Sequence, residues 1–339
     1  MKKKQVTLLE LAKRLNLSPS TVSRALNGRH RISEETRNRV RALAEELEYQ
    51  PNPSAKRLRE SKTYVLGVLV PEIAHGYFSE AISGMEGVAL SKGYSLVICQ
   101  SHESSEREKQ AARTLLFSRV DGLLFCPSQE TKEFKFYGAF LRKDIPIVFF
   151  DRFGEGLPAS RVSCNDYQGA KDAVKHLIER GHKRIAHLGA PAQLSNSQGR
   201  LNGYMDALRE AGMSIDEDLI RSVNLDQPDV RGEVEKLWQG TPPDAIFCFN
   251  DYLAYDLYLA LEEKGISIPG DVSVMGFGDE GPSRLVYPKL TSVNQPARQI
   301  GEWAAKLMID QLSMEDDEAE PDYQSISLDT TIVERGSVK

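Results

Sequence analysis

Apolar positions fall into three regimes along the 339 residues. In the first, Leu8, Leu11, Ala12 and Leu15 keep the i, i+3, i+4, i+7 spacing of one helix face, and Thr7 with Glu10 forms a capping box. Asn16-Leu17 breaks that helix. Ser18 caps a second one with Pro19 at its first position, and Val22 and Leu26 face inward until Asn27-Gly28 ends it. A third helix after Ser33 buries Val40, Leu43, Ala44 and Leu47 and leaves Arg37, Arg39 and Arg41 outside. Three short helices, two of them joined by a tight turn, predict a helix-turn-helix whose second helix would enter a DNA major groove.

The second regime, residues 51–62, reads Pro-Asn-Pro-Ser-Ala-Lys-Arg-Leu-Arg-Glu-Ser-Lys. Asn52 can cap a helix and Pro53 suits its first turn. One or two turns fall well below the roughly 12–15 residues at which an isolated helix becomes marginal in water. On these residues alone, a solvated linker competes with a segment that orders on a polyanion, Leu58 being a wedge among Lys56, Arg57 and Arg59.

From Tyr64 onward, β-rich apolar runs alternate with helical stretches. Strands are predicted at 65–70, 95–99, 122–125 and 147–150, then at 185–188, 219–223, 245–249 and 272–276. Continuous apolar runs suit parallel strands buried on both faces. Helices are predicted near 78–91, 105–117, 133–142, 167–180, 199–211, 230–238, 251–264 and 297–312, with a last strand near 324–332. Two doubly wound lobes fit this alternation better than one very wide sheet.

Charge separates the same regimes. Residues 1–62 carry 15 Lys/Arg against 7 Glu and no Asp, a net of +8, so a whole-chain charge of −6 leaves −14 on the rest. Only the head suits a polyanion. Its second helix offers Ser20, Thr21, Ser23, Arg24 and Asn27, short hydroxyls for phosphate oxygens and one bidentate donor able to read guanine. Cys99, Cys126, Cys164 and Cys248 are widely spaced with no CxxC pair and read as buried free thiols in a reducing compartment. Charges at Glu10, Lys13 and Arg14 interrupt any signal segment, and no stretch is long enough to span a membrane. Gly276-Phe277-Gly278-Asp279-Glu280-Gly281 matches GxGxxG, but Pro282 and an extended continuation replace the helix that would receive a pyrophosphate. His176, His182 and His187 fall on a helix, a loop and a strand, so neither a metal nor a cofactor is expected.

Val6-Thr7-Leu8, Ser18-Pro19-Ser20-Thr21-Val22-Ser23-Arg24-Ala25-Leu26-Asn27-Gly28, Ser33-Glu34-Glu35-Thr36-Arg37, Tyr49-Gln50-Pro51-Asn52 and Ala55 to Leu58 closely resemble the LacI family of bacterial transcription regulators. The resemblance runs through nearly the whole chain. It implies an all-α helix-turn-helix head at 1–50, a hinge helix at 51–62 and an α/β effector-binding and dimerisation body at 63–339. That body would have two doubly wound parallel-sheet lobes of periplasmic-binding-protein type I, with the chain crossing three times. The first lobe would span about 63–163 and 294–322, the second about 164–293 and 323–334.

On DNA, the resemblance implies that Pro19, Ser20 and Arg24 face bases, and that Thr7, Ser18, Thr21, Ser23, Asn27, Arg31, Ser33, Tyr49 and Asn52 hold the backbone. Ala55 and Leu58 would enter the minor groove. In the body it implies a cleft for a small-molecule effector, carbohydrate by family breadth, with nucleobases and nucleosides open. Its contacts would be Tyr77, Phe78, Asp151, Arg152, Arg200, Phe247, Asn250 or Asp251, and Asp279. Asn250 and Asp251 also sit where a helix needs a cap, and Tyr77 can simply pack. Many family members place Asp two residues after the strand-ending glycine, whereas Gly278 stands there in this chain and Asp279-Glu280 follow. That contact is therefore displaced or lost. The expectation is a cytoplasmic, homodimeric regulator of a palindromic operator, and not an enzyme. A small-molecule binding protein without DNA function and an α/β sugar-processing enzyme are the alternatives.

Overall fold

The computed structural model describes residues 6–26, 32–47, 49, 62–314 and 322–339. The chain divides into two compact units, Met1–Thr63 and Tyr64–Lys339.

In the first unit, α1 (Leu8–Leu15), α2 (Pro19–Leu26) and α3 (Glu34–Glu46) close on Leu11, Ala12, Val22, Ala25, Val40 and Ala44. Thr7 Oγ1 caps α1 through the Glu10 N–H, and Asn16, at φ 53°, ends it in the left-handed region. Leu43 and Leu47 are half-buried against this core. Arg37, expected outside, is half-buried as well, because it lies on the flank of α3 rather than on its outer face.

The second unit carries two six-stranded sheets. The first has the order β11-β5-β4-β3-β1-β2 and is parallel throughout: β1 (Val65–Val70), β2 (Ser95–Gln100), β3 (Gly122–Phe125), β4 (Ile147–Phe150), β5 (Ser160–Cys164) and β11 (Ser325–Leu328). The second has the order β12-β10-β9-β8-β6-β7: β6 (Ile185–Gly189), β7 (Ile220–Ser222), β8 (Ala245–Cys248), β9 (Ser273–Gly278), β10 (Thr291–Asn294) and β12 (Thr331–Val333). Only its β10–β12 pair is antiparallel.

Helices cover both faces of each sheet. Those on the first are α4 (Gly76–Ser91), α5 (Ser105–Phe117), α6 (Gly138–Leu141) and, late in the chain, α11 (Ala297–Ser313). On the second lie α7 (Asp166–Glu179), α8 (Ser195–Glu210), α9 (Val230–Leu237) and α10 (Asp251–Glu263). Strand alternation sorts the side chains: Leu66, Val68 and Val70 pack with α4 and α11, whereas Leu69 joins Ala112 and Leu115 of α5. The α4–α11 crossing is close enough that a Cβ on Gly84 would lie 2.1 Å from the Arg298 carbonyl oxygen.

Three findings differ from the sequence pattern. Residues 95–99 were expected buried on both faces, yet Val97 and Ile98 are exposed and Cys99 is only half-buried, because β2 is an edge strand. β5 and β10 were not predicted. The single strand expected near 324–332 is two, β11 in one sheet and β12 in the other, so the third crossing falls at Asp329-Thr330 instead of near 322.

Candidate functional site

In the first unit, the predicted DNA contacts Ser18, Pro19, Ser20 and Thr21 gather around the start of α2, while Thr7, Ser33 and Tyr49 lie at the ends of α1 and α3. Ser18 Oγ accepts the Thr21 N–H at 3.1 Å and lies 2.7 Å from Thr21 Oγ1 and 2.9 Å from Ser20 Oγ, so one hydroxyl caps the helix and aligns two others. Ser18, Pro19, Ser20 and Arg24 are exposed, and Thr21 and Ser23 are half-buried. The exposed face thus combines hydroxyls with a guanidinium, the equipment for phosphate and base edges. Ser33 caps α3 through the Thr36 N–H, and Tyr49 packs on the head core with its N–H donated to the Ala44 carbonyl. Asn27, Arg31, Asn52, Ala55 and Leu58 lie outside the described residues.

In the second unit, residues that follow strands of the first sheet meet residues that follow strands of the second, Asp151 with Asn196, Phe153 with Ser195 and Gln129 with Asn224. The cleft these contacts line is the usual ligand position in open α/β sheets. Asp151 ends β4 with φ 60°, a left-handed conformation that side chains adopt rarely and that concentrates at functional sites. Its Oδ2 accepts from Asn196 Nδ2 at 3.3 Å and lies 3.7 Å from Arg152 Nε and 3.8 Å from the Cys126 thiol. Beside it, Tyr77 Oη, Asn196 Oδ1 and Arg152 Nε are buried without hydrogen-bond partners. Burial, with Asp151 adding to it, pushes the Tyr77 phenol well above its ordinary pKa, so it stays protonated and able to donate.

Both arginines are already committed. Arg152 Nη1 binds Glu103 at 2.8 and 2.9 Å and the Pro127 carbonyl at 3.2 Å. Arg200, which is 2% exposed, donates from Nε (2.9 Å) and Nη2 (2.7 Å) to Asp166 Oδ1 and from Nη1 to the Phe249 carbonyl. Its guanidinium lies 3.8 Å from the Phe277 ring centre and 4.5 Å from that of Phe249. Burial pushes the Asp166 carboxyl up to about 6 even though Arg200 opposes the shift.

The remaining expected contacts have structural work. Phe78 is buried in the core beneath α4 and meets Tyr77 edge-on. Phe247 does not face the cleft, because strand alternation turns it into the core, where it stacks on His187 at 5.1 Å. Asn250 caps α10 through the Leu253 N–H. Asp251 is fully buried and accepts from Ser292 Oγ (2.6 Å), Ser283 Oγ (2.7 Å) and the Glu280 N–H (2.8 Å), which organises the turn after β9. Asp279, at φ 51°, is held by Arg335. The carboxylate that follows Gly278 is therefore spent within its own lobe.

Asn196, Ser195, Glu103 and Asp166 were not among the expected contacts. Asn196 lies one turn before Arg200 on α8, and that i, i+4 spacing is the one signal that pointed to it. His176, His182 and His187 have separate neighbours, Glu334, Asp244 and the Phe247 carbonyl. No cluster of metal-ligating side chains occurs among the described residues. No helix among them is long and apolar enough to cross a membrane.

A helix-turn-helix unit with a two-lobed α/β body defines a ligand-responsive class of DNA-binding protein, and comparison with known proteins gives the same answer. Residues 7–52 match "Bacterial regulatory proteins, lacI family" and residues 174–338 a "Periplasmic binding protein-like domain". The HTH-type transcriptional repressor PurR of Vibrio atlanticus (strain LGP32) is 33% identical over 336 residues, 98% of each chain. A solved "transcriptional regulator CelR-cellobiose complex" is 27% identical with a TM-score of 0.73, covering 98% of this chain and 99% of that one. The lac repressor dimer bound to operator shares the fold at a TM-score of 0.82 and 24% identity, covering 99% of both chains. The chain belongs to the LacI family of DNA-binding transcription regulators, and the relatives it matches are repressors rather than enzymes.

Proposed function

We propose that this protein is a cytoplasmic repressor that binds a palindromic operator as a homodimer and responds to a small, neutral, polyhydroxylated effector of carbohydrate type in the cleft. The prior pairing of both cleft arginines carries the effector reading. With Arg152 held by Glu103 and Arg200 by Asp166, neither arginine offers an uncompensated charge to a sugar acid or phosphate. The open valences beside Asp151 are Asn196 Oδ1, Tyr77 Oη and Arg152 Nε, a mixed donor and acceptor set that suits hydroxyl groups. Arg200 covers faces of Phe249 and Phe277, which disfavours a stacked planar base. The cellobiose bound by the solved relative supports the same class.

Exposed apolar side chains on each lobe, Leu90, Val97 and Ile98 on one and Leu259, Leu285 and Tyr287 on the other, support a second copy as the partner. Residues 51–62 then serve as hinge helices that form on DNA, with Leu58 of each copy at the operator centre. A thermal-shift panel of neutral mono- and disaccharides, sugar acids, sugar phosphates and nucleobases tests the effector class, since a ligand of the native state raises its melting temperature. Neutral sugars should shift the parent and fail to shift Asp151→Asn. A response confined to phosphates or nucleobases would overturn the carbohydrate assignment.

A further inference from the structure

Beyond the crossing segments, the lobes are tied by side chains that reach backbone groups of the opposite lobe. At one rim the Gly76 N–H donates to Tyr252 Oη at 3.1 Å, the Tyr77 N–H donates to Glu280 Oε1 at 2.8 Å, and the His75 ring stacks on Tyr252 at 3.9 Å. Inside the cleft, the Phe153 N–H donates to Ser195 Oγ at 3.1 Å. At the other rim one residue makes the contacts. Gln129 Nε2 donates to Asn224 Oδ1 at 2.8 Å, its Oε1 accepts the Leu225 N–H at 2.8 Å, and its carbonyl accepts from Gln193 Nε2 at 3.0 Å. Its own N–H donates to Glu103 Oε2 at 2.6 Å, and Glu103 holds Arg152.

All four polar groups of Gln129 are therefore in use, three of them across the cleft, and the residue is 3% exposed. We propose that Gln129 is a positioning residue that latches the two lobes over the cleft, and that Glu103 carries the state of Arg152 to this latch. The second half rests on the cleft being the effector site. The chemistry suits a reversible catch. A neutral amide is cheaper to desolvate than an ion, and each bond exchanged with water on opening is worth roughly 2- to 12-fold in the closed-to-open ratio. Arg152 meets Glu103 through Nη1, while its buried Nε, without a hydrogen-bond partner, lies on the Asp151 side. A ligand oxygen at Nε would thus act on the same guanidinium that Glu103 grips.

Four backbone amides report closure directly, because Gly76, Tyr77, Phe153 and Leu225 donate to side chains of the opposite lobe. Hydrogen exchange followed by mass spectrometry on the full chain, with no small molecule added, reads them. Gln129→Ala and the equally long Gln129→Met should each speed exchange about tenfold at Gly76, Tyr77 and Phe153, none of which touches Gln129. Peptides from β3 and β8 should exchange as in the parent, which separates opening from unfolding. A change confined to peptides around residues 129 and 224–225 in both variants would overturn the latch. Glu103→Gln should open the same amides partially, and no change at Leu225 would overturn the wiring to Arg152. Because no ligand is used, a failed effector panel leaves this result untouched.

Discussion

Replacing Arg200 by Met keeps the stem and most of the volume but removes the charge. The Asp166 carboxylate would then be buried with the Cys164 thiol as its remaining side-chain partner, and the Phe249 carbonyl would lose the Arg200 donor. Breaking a buried pair from one side costs about 3–5 kcal/mol, because the other charge stays in a low-dielectric site. In an Asp166→Asn background, the same change loses only the carbonyl's bond and the guanidinium–ring contacts, about 1–2 kcal/mol. The coupling between the two positions is therefore about 2–3 kcal/mol. Urea unfolding of the four proteins at pH 7.5 measures it, read by the fluorescence of Trp238 and Trp303, which lie one in each lobe. The pH dependence gives a second handle. Burial pushes Asp166 up to about 6, above its unfolded value, so this burial lowers stability as pH rises from about 4 to 6 and Arg200 limits that loss. Below pH 5 the carboxyl is neutral and the coupling should shrink. Equal costs of Arg200→Met in both backgrounds at pH 7.5 would refute the pairing and leave Arg200 as a stacking residue only.

Burial, followed by the carboxylates of Asp251 and Asp279, pushes Glu280 up to about 7 against the opposing Tyr77 N–H. Its native pKa exceeds the unfolded one, so it lowers stability as pH rises from about 4.5 to 7. Glu280→Gln should match the parent near pH 4.5 and exceed it by up to about 3 kcal/mol at pH 8, and a gap that does not vary with pH would count against this. Ser18→Ala removes the α2 cap and should cost the head about 1 kcal/mol in thermal unfolding while also weakening operator binding. Leu58→Ala should weaken operator binding in fluorescence anisotropy and leave the effector's thermal shift as in the parent, whereas equal operator affinity would return residues 51–62 to a linker. Operator affinity should also fall steeply with added salt, since the head's excess positive charge releases counterions on binding.

Much of this was legible in the sequence because it depends on local periodicity. The 122–125 and 147–150 runs became strands with those bounds, and the Thr7 and Ser18 caps formed where the pattern placed them. β5 and β10 escaped notice because small hydroxyl residues share their buried positions with only Val162, Cys164 and Val293, which breaks up the apolar run. Ser160, Thr291 and Ser292 are fully buried and satisfied by hydrogen bonds, Ser160 from Gln311 and the Gln324 N–H, Ser292 to Asp251. Hydrophobicity registers such a short, interrupted strand only weakly. The cleft was half legible: Asp151 and Arg200 were named, but not that Glu103 and Asp166 claim the arginines first. Nor could spacing show that Tyr77 meets Glu280, 203 positions away.

The Asp329-Thr330 crossing also determines how the body should fail. β11 is the outermost strand of one sheet and β12 of the other, and beyond them Ser337 is pinned between Val274 and Thr291. A stop codon after Asp322 would strip both sheets of an outer strand in one stroke, leaving β5 and β10 as raw edges open to aggregation. Translation of either lobe's sheet is thus incomplete until the same few codons have been read, so a ribosome-bound chain short of them holds two unfinished domains rather than one finished and one pending.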